Sequence, residues 1–386
     1  MSNSKVILPG STLGMLGDGQ LGQMTAIAAA NLGYKVAVLG PGGRHSPTGH
    51  VAYWAEAWSP RDTIVSEEQL DRFCSVVGHN STVMIEWENI PVSLVKRIEA
   101  KGIPVRPGGR VLAVAQDRLL EKQCAEQLGI PVPRYSNIEN EEDIARSHPV
   151  SIEKCILKTR RNGYDGKGQV SVPNPSPSSI KEAWDVLGNV PCVLETLVGF
   201  ACEISMIAAR SPSFPGVAIY GPFQNSHENG ILRTTKFPFN FPVWRMPPFE
   251  PEILRQAWDA TKALVEHLDV HGLLAVEFFV LQDGTVIFNE IAPRPHNSGH
   301  LTIECHDTSQ FEQYVRAACC LPMGSNAHHS SGEMTNILGD EATDPMKYFL
   351  QGAKATHLYG KGQAKPGRKM GHITRREVDM HDGDED

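Results

Sequence analysis

Apolar and polar positions divide the chain into elements of two periods. Residues 12–41 read TLGMLGDGQLGQMTAIAAANLGYKVAVLGP: a short apolar run, a glycine turn, a small-residue helical stretch and a second apolar run over 35–39. That is the pattern of a β-strand, a helix and a parallel β-strand. A further strand is predicted over 82–86 and a helical run over 111–128. After a polar, acidic stretch, strands are predicted over 155–159 and 170–172, then an apolar extended segment over 193–198. Residues 275–292, AVEFFVLQDGTVIFNEIA, are two β-rich runs joined by Asp283-Gly284, the signature of a two-residue hairpin turn.

That hairpin carries chemistry. Pairing Gln282 with Thr285 and counting outward places Glu277 opposite Glu290 on one sheet face, with β-carbons about 5 Å apart. Facing carboxylates repel unless a proton or a cation separates them, and Mg²⁺ is commonly held by one or two carboxylates plus substrate phosphates. The hairpin therefore predicts a nucleotide-metal site, with Glu277 and Glu290 as the metal ligands.

Composition narrows the class. A chain of 386 residues with 41% hydrophobic and 21% charged residues, 35 Gly and 27 Pro suits a globular enzyme of two or three domains. A net charge of −8 argues against a general nucleic-acid or anionic-membrane surface, so any phosphate site must be local. Asn31, Gly33 and Lys35 interrupt the apolar stretch over 24–39, which excludes a membrane span or secretory core there, and a cytoplasmic protein is expected. The eight cysteines lack zinc-type spacing and read as reduced, buried thiols. The acidic tail over 379–386 is expected to be disordered.

Several loops add candidate groups. Gly17, Gly19 and Gly22 form a Gly-x-Gly-x-x-Gly turn that permits close approach of a phosphate to a helix N-terminus. The second strand, however, ends in Gly40-Pro41, where a dinucleotide site wants an acidic residue for the ribose, so a nicotinamide-dependent dehydrogenase loses ground. Glu86-Trp87-Glu88-Asn89 puts polar groups at a strand's carboxyl end, where open α/β sheets bind ligands or where a following helix draws carboxylates. Lys158 ends one strand, and Arg160 to Gln169 contains three glycines in six positions before the next. A Walker loop must open a helix; this one joins two strands and can fold over a triphosphate, with Lys158 reaching the phosphates. The 193–198 segment suits an adenine slot, with Glu203 accepting ribose hydroxyls. His227 stays ambiguous between surface residue and ligand. Pro293 to His300 presents Arg294 and His296 on a proline-stiffened segment suited to oxyanions and proton transfer. Lys361, Lys365, Arg368, Lys369 and His372 form the local basic cluster that reads as the phosphate site.

Taken in order, Gly17-Asp-Gly-Gln-Leu-Gly22, Glu86-Trp-Glu-Asn-Ile-Pro91, Asn162-Gly-Tyr-Asp-Gly-Lys-Gly-Gln169, Asn289-Glu-Ile-Ala-Pro-Arg294, His296-Asn-Ser-Gly-His300 and Pro366-Gly-Arg-Lys-Met-Gly-His372 resemble the 5-(carboxyamino)imidazole ribonucleotide synthase family of ATP-grasp enzymes. The resemblance covers nearly the whole chain. It implies an α/β and α+β protein: a Rossmann-like domain over 1–113, an ATP-grasp domain over 114–320 and a small C-terminal domain over 321–386. It also implies a homodimer, ATP and Mg²⁺ as cofactors, and carboxylation of 5-aminoimidazole ribonucleotide by bicarbonate via carboxyphosphate in purine biosynthesis. The alternative is another ATP-grasp carboxylase or formyl-phosphate transferase acting on a related ribonucleotide. By resemblance, ATP would meet Arg118, Lys158, Gly163, Tyr164, Asp165, Gly166, Lys167, Gly168, Gln169, Glu195, Thr196, Leu197, Val198, Glu203, His227, Asn289 and Glu290. Arg294, His296, Asp165 and Tyr164 would surround bicarbonate and the aminoimidazole, with Asp165 or His296 handling protons. Gln20, Lys361 and Arg368 would hold the ribonucleotide, chiefly its 5′-phosphate.

Overall fold

The computed structural model describes residues 5–58, 65–147, 154–163, 166–239, 250–350, 352 and 355–377. Its first unit is a five-stranded parallel sheet of β1 (Thr12–Leu16), β2 (Lys35–Gly40), β3 (Trp54–Ala57), β4 (Val83–Ile85) and β5 (Val105–Arg106), in the order β3-β2-β1-β4-β5. β1 and β2 are buried almost throughout, as a sheet covered on both faces requires. The helix Gln20–Asn31 follows β1 as the sequence predicts. Strand order reverses at β1 and β4, and the turns leaving these two strands open a crevice at the carboxyl edge, where such sheets bind ligands.

The helical run predicted over 111–128 is two helices, Gly109–Ala115 and Arg118–Gln127. Asp117 divides them because its carboxylate accepts the Leu119 amide and caps the second helix. This junction leads into a four-stranded antiparallel sheet of β6 (Tyr135–Ile138), β7 (Cys155–Thr159), β8 (Gln169–Val172) and β9 (Cys192–Thr196), ordered β6-β9-β7-β8.

A third, eight-stranded antiparallel sheet contains β10 (Cys202–Arg210), β11 (Ala218–Glu228), β12 (Ile231–Phe237), β13 (Gly272–Val280), β14 (Val286–Ala292), β15 (Ser331–Leu338), β16 (Ala355–Leu358) and β17 (Lys369–Glu377). Its order is β14-β13-β10-β11-β12-β15-β17-β16, so strands from before and after residue 320 share one hydrogen-bonded ladder. Helix Glu250–His267 packs on it over a core that includes Ile204, Phe278 and Phe288. Tyr314 joins the first and third sheets, since its hydroxyl meets Ile85 N at 2.9 Å and the Arg106 carbonyl at 2.8 Å.

All eight cysteines are free and buried, as expected. No helix among the described residues is long and apolar enough to cross a membrane. The acidic tail lies outside the described residues.

Candidate functional site

The β13–β14 hairpin pairs Glu277 with Glu290, as the count from the turn predicts, but by a different route. Leu281 N donates to Thr285 O and Gly284 N to Leu281 O, so the loop is three residues, Gln282 to Gly284, with Gly284 at a φ of 83°. The pairs next to it are Val280 with Val286 and Phe278 with Phe288, one residue out of the predicted register. A bulge at Asn289 restores the offset before Glu290. Without the bulge Phe288 and Glu290 would share a face. With it, Phe288 is fully buried while Asn289 and Glu290 both line the cavity.

That cavity, about 890 Å³, lies where the three sheets converge. It gathers Gln20, Arg118, Lys158, Gly163, Gly166, Lys167, Gln169, Glu195, Thr196, Leu197, Val198, Glu203, His227, Glu277, Asn289, Glu290, Arg294, His296, Lys361 and Arg368. Gly168 is not among its lining residues. Gly168 has a φ of +73° and backs onto Thr159, where a β-carbon would stand 2.7 Å from Oγ1. Its role is to let the loop turn. Tyr164 and Asp165 lie outside the described residues. Gly166 lies close to Gly230 in the β11–β12 turn, since a β-carbon there would stand 3.3 Å from the Gly230 Cα, so the glycine loop reaches across to the opposite sheet.

Basic groups in the cavity are matched by carboxylates. Arg118 Nη1 meets Glu290 at 2.6 Å, Lys158 Nζ meets Glu195 at 2.9 Å, His227 Nδ1 meets Glu203 at 2.6 Å and His296 Nε2 meets Glu277 at 2.7 Å. Arg294 forks onto both oxygens of Glu88. Burial disfavours the ionised form of Glu277, yet the charge and hydrogen bond of His296, helped by His227 and Lys369, hold its pKa down at about 2. Burial likewise opposes ionisation of Glu195, but Lys158, Lys122 and Arg118 bring it to about 2. Burial would lower the His227 pKa, and the Glu203 hydrogen bond raises it above the usual value.

Glu195 was expected at the nucleotide. Its carboxylate is 2% exposed and sits between Lys158 and Lys122, the latter at 3.1 Å, so it braces the cavity-lining Lys158 from behind. The following residues Thr196, Leu197 and Val198 give the cavity an extended edge, and Phe200 stacks on Phe279 with centroids 4.8 Å apart. These residues give the cavity an apolar edge. Arg160, forked onto Asp117 at 2.9 and 2.6 Å, ties the glycine loop to the cap of the helix that carries Arg118.

The Gly17–Gly22 turn does not leave its amides open to a phosphate in the way its pattern suggests. Glu86, 8% exposed, fills it: Gly19 N donates to Oε1 at 2.9 Å and Gly22 N to Oε2 at 3.3 Å. Added β-carbons on Gly17, Gly19 and Gly22 would stand 2.6, 3.0 and 3.2 Å from Glu86 atoms, so these glycines make room for a carboxylate of the protein itself. Asp18 similarly accepts Gly42 and Gly43 amides after β2, the place a dinucleotide's ribose would need. Both features remove the dehydrogenase reading.

Sequence reasoning missed Glu121, Lys122, Phe200, Phe279 and Asn297. The first two look like ordinary helix formers; in the fold Glu121 accepts the Ile291 amide at 3.0 Å, and burial, with Glu290 nearby, pushes its pKa up to about 8. Lys369, beside the predicted Arg368, lines the same wall and its charge reaches Glu277. His300 belongs to the core, fully buried with its ring centroid 4.7 Å from that of His372. Glu304, His357 and His372 also cluster, away from the cavity. His357 and His372 stack there with centroids 4.5 Å apart and rings inclined at 16°.

The donor set fits a hard divalent cation: two carboxylates face each other across a strand pair, in a cavity whose other walls carry Lys158, Arg118 and Arg294.

Three family models match in chain order: a ribonucleotide synthetase preATP-grasp domain over residues 11–116, an ATP-grasp domain over 123–311 and a phosphoribosylaminoimidazole carboxylase C-terminal domain over 333–385. N5-carboxyaminoimidazole ribonucleotide synthase of Brucella melitensis is 36% identical over 367 residues, 95% of this chain and 96% of that protein. The synthase of Bacillus subtilis is 35% identical over 378 residues, 96% of this chain and 93% of its own length. Among solved structures, an ADP complex of such a synthetase superposes with a TM-score of 0.86 at 35% identity, covering 98% of this chain and 94% of its own. A synthase from Aspergillus clavatus, in complex with ADP and 5-aminoimidazole ribonucleotide, superposes at 0.82 and 26% identity, covering 96% and 95%.

Proposed function

We propose a division of labour for the cavity from one premise: this chain belongs to the family of N5-carboxyaminoimidazole ribonucleotide synthases, ATP-grasp ligases. It has the family's three domains, preATP-grasp, ATP-grasp and C-terminal, and carboxylates 5-aminoimidazole ribonucleotide with bicarbonate at the expense of ATP, in purine biosynthesis. The observation that carries the residue assignment is the facing pair Glu277 and Glu290, set in one cavity with Arg294, His296 and the basic wall.

ATP lies between the four-stranded sheet and β13–β14. Its adenine enters the slot edged by Thr196 to Val198, with Phe200 and Phe279 at one end. Glu203, oriented by His227, holds the ribose. Lys158, Arg118 and the loop over 163–169 take the phosphates. Mg²⁺ held by Glu277 and Glu290 would neutralise charge on the transferring phosphoryl group. Asn289, turned inward by the bulge, stands beside Glu290.

Bicarbonate is a poor electrophile until one of its oxygens is phosphorylated. Arg294 holds it in line with the γ-phosphate and then stabilises the carboxyphosphate anion. His296 lines that end of the cavity, Tyr164 and Asp165 are assigned to bicarbonate and the aminoimidazole by their match to the family motif, and Asp165 or His296 takes the proton lost as the exocyclic amine attacks. Gln20, Lys361 and Arg368, with Lys369, hold the ribonucleotide. We place the domain limits at 1–113, 114–320 and 321–386, near the ends of the three family matches. A cytoplasmic homodimer completes the reading; exposed Met346, Phe349 and Leu350 give the C-terminal domain an apolar face.

The test is ADP release from ATP, Mg²⁺ and bicarbonate with and without the ribonucleotide, together with transfer of labelled bicarbonate carbon to it. Stimulation by the ribonucleotide that disappears in Glu290→Ala supports both substrate and metal pair. ATP binding without stimulation would refute the substrate.

A further inference from the structure

The turn after β4 brings a second carboxylate to the cavity, and it is spent on a protein cation. Glu88 receives Nε of Arg294 on one oxygen and Nη2 on the other, the latter at 3.0 Å. Both side chains are largely buried, at 21% and 18% exposure. Burial opposes the ionised form of Glu88, and the Arg294 charge and hydrogen bonds nonetheless hold its pKa below the usual value. The residues lie 206 positions apart, one leaving the parallel sheet and the other leaving β14.

The turn is fixed on both sides of Glu88. Gln116 Nε2 donates to the carbonyls of Glu88 at 2.8 Å and Ile90 at 2.6 Å. Glu86 is locked onto the Gly19 and Gly22 amides. The guanidinium is thus gripped by a rigid anion from another domain rather than by its own flexible stem.

Donor counting shows what this grip leaves. A guanidinium has five N–H groups in a planar fork. Nε and one N–H of Nη2 go to Glu88, and one N–H of Nη1 goes to the Pro295 carbonyl at 3.0 Å. Among the described residues one N–H on each Nη has no protein partner, a pair that matches two oxygens of a planar oxyanion. We infer that Glu88 is a positioning residue that orients Arg294 so that this remaining pair receives bicarbonate and the carboxyphosphate formed from it. The inference rests on the role proposed above for Arg294. The preATP-grasp domain thereby supplies a part of the bicarbonate site without touching bicarbonate.

The experiment is a set of steady-state kinetics on Glu88→Gln, Glu88→Asp, Arg294→Lys and the double variant Glu88→Gln/Arg294→Lys, varying ATP, ribonucleotide and bicarbonate separately and counting ADP released per product formed. Glu88→Gln should raise the bicarbonate KM about tenfold or more, the loss of one charge-assisted contact, while the KM values for ATP and ribonucleotide stay within about twofold. ADP per product should rise above one as a poorly held anion is lost to water. Glu88→Asp should recover part of the bicarbonate KM. In the Arg294→Lys background, Glu88→Gln should add less than about twofold, because groups acting through one another are not additive. A rise confined to the ribonucleotide KM, or full additivity in the double variant, overturns the inference by making Glu88 an independent contact. If Arg294→Lys itself leaves the bicarbonate KM unchanged, the assignment of Arg294 fails instead. Should Glu88→Gln not fold, Gln116→Ala, which loosens the turn and leaves the ion pair's groups intact, must reproduce the bicarbonate effect or the inference falls.

Discussion

Replacing Glu86 by Ala should destabilise the first domain and create an anion site where there was none. The carboxylate accepts two amides at the start of the helix Gln20–Asn31. Hydrogen bonds to a charged acceptor contribute about 1.5–3 kcal/mol each, so the gross loss is about 3–6 kcal/mol. Part is recovered because burial of this carboxylate is costly, as its raised pKa records. A net loss of about 2–4 kcal/mol is the expectation, typical of a broken buried polar network. The vacated turn then presents helix N-terminal amides to solvent, the geometry that binds phosphate. At about 50 times its dissociation constant, inorganic phosphate would restore about 2.3 kcal/mol to the variant and leave wild type unchanged. The assay is hydrogen exchange of the peptide covering residues 17–26 with thermal unfolding alongside, in phosphate and in chloride of matched ionic strength. Equal protection in variant and wild type would refute the reasoning about Glu86. Rescue by chloride as good as by phosphate would refute the anion site.

Three further outcomes are expected. Glu290→Ala should lower ribonucleotide-stimulated ADP release by about a thousandfold, the several kcal/mol that a metal ion contributes to phosphoryl transfer, and raising Mg²⁺ should not restore it. Phe200→Ala removes the outer ring of the Phe200–Phe279 stack and should raise the ATP KM about three- to tenfold with kcat little changed, since such a ring contact is worth about 0.5–1.5 kcal/mol. His306 is packed among Tyr220, Phe223, Phe237 and His328; burial first, then His328 and His329, depresses its pKa to about 4. The unfolded chain therefore binds a proton more readily than the native one between pH 6.5 and 4, and stability is lost as pH falls through that window. The linkage amounts to about 2 kcal/mol between pH 8 and pH 5. Denaturant titrations of wild type and His306→Phe at both pH values should show that much less acid sensitivity in the variant; equal sensitivity would contradict the assignment.

Local signals carried much of the site because hairpins, glycine loops and strand ends are short-range features. Glu277 and Glu290 were legible from spacing alone, although the count succeeded because a longer tip and the Asn289 bulge cancel. A bulge leaves no mark that alternation can detect. The break at Asp117 was legible in principle, since an Asp before a leucine-rich run is a cap signal, but continuous apolar character on both sides hid it. The glycine turn misled because sequence shows which backbone can approach an anion, not whose anion it is. Glu86 lies 67 residues from Gly19, Glu88 lies 206 from Arg294, and Lys158 lies 37 from Glu195. Pairings at those separations follow from how the sheets are brought together, and no single-sequence periodicity encodes them.

The shared ladder of the eight-stranded sheet has a mechanical consequence. β13 and β14 are bonded through β10, β11 and β12 to β15 and β17, so the carboxylates of the hairpin and the lysines before β17 belong to one stiff plate. The four-stranded sheet is not part of that ladder; it is tied to the plate by the connector from β9 to β10, by the Pro131 carbonyl that accepts the Phe288 amide at 2.8 Å, and by the glycine loop's touch on the β11–β12 turn. On the assignment proposed above, opening for ATP is expected of this smaller jaw, which carries Lys158, while the acceptor's seat on the plate stays still. Nucleotide exchange and ribonucleotide exchange can thereby run on separate clocks.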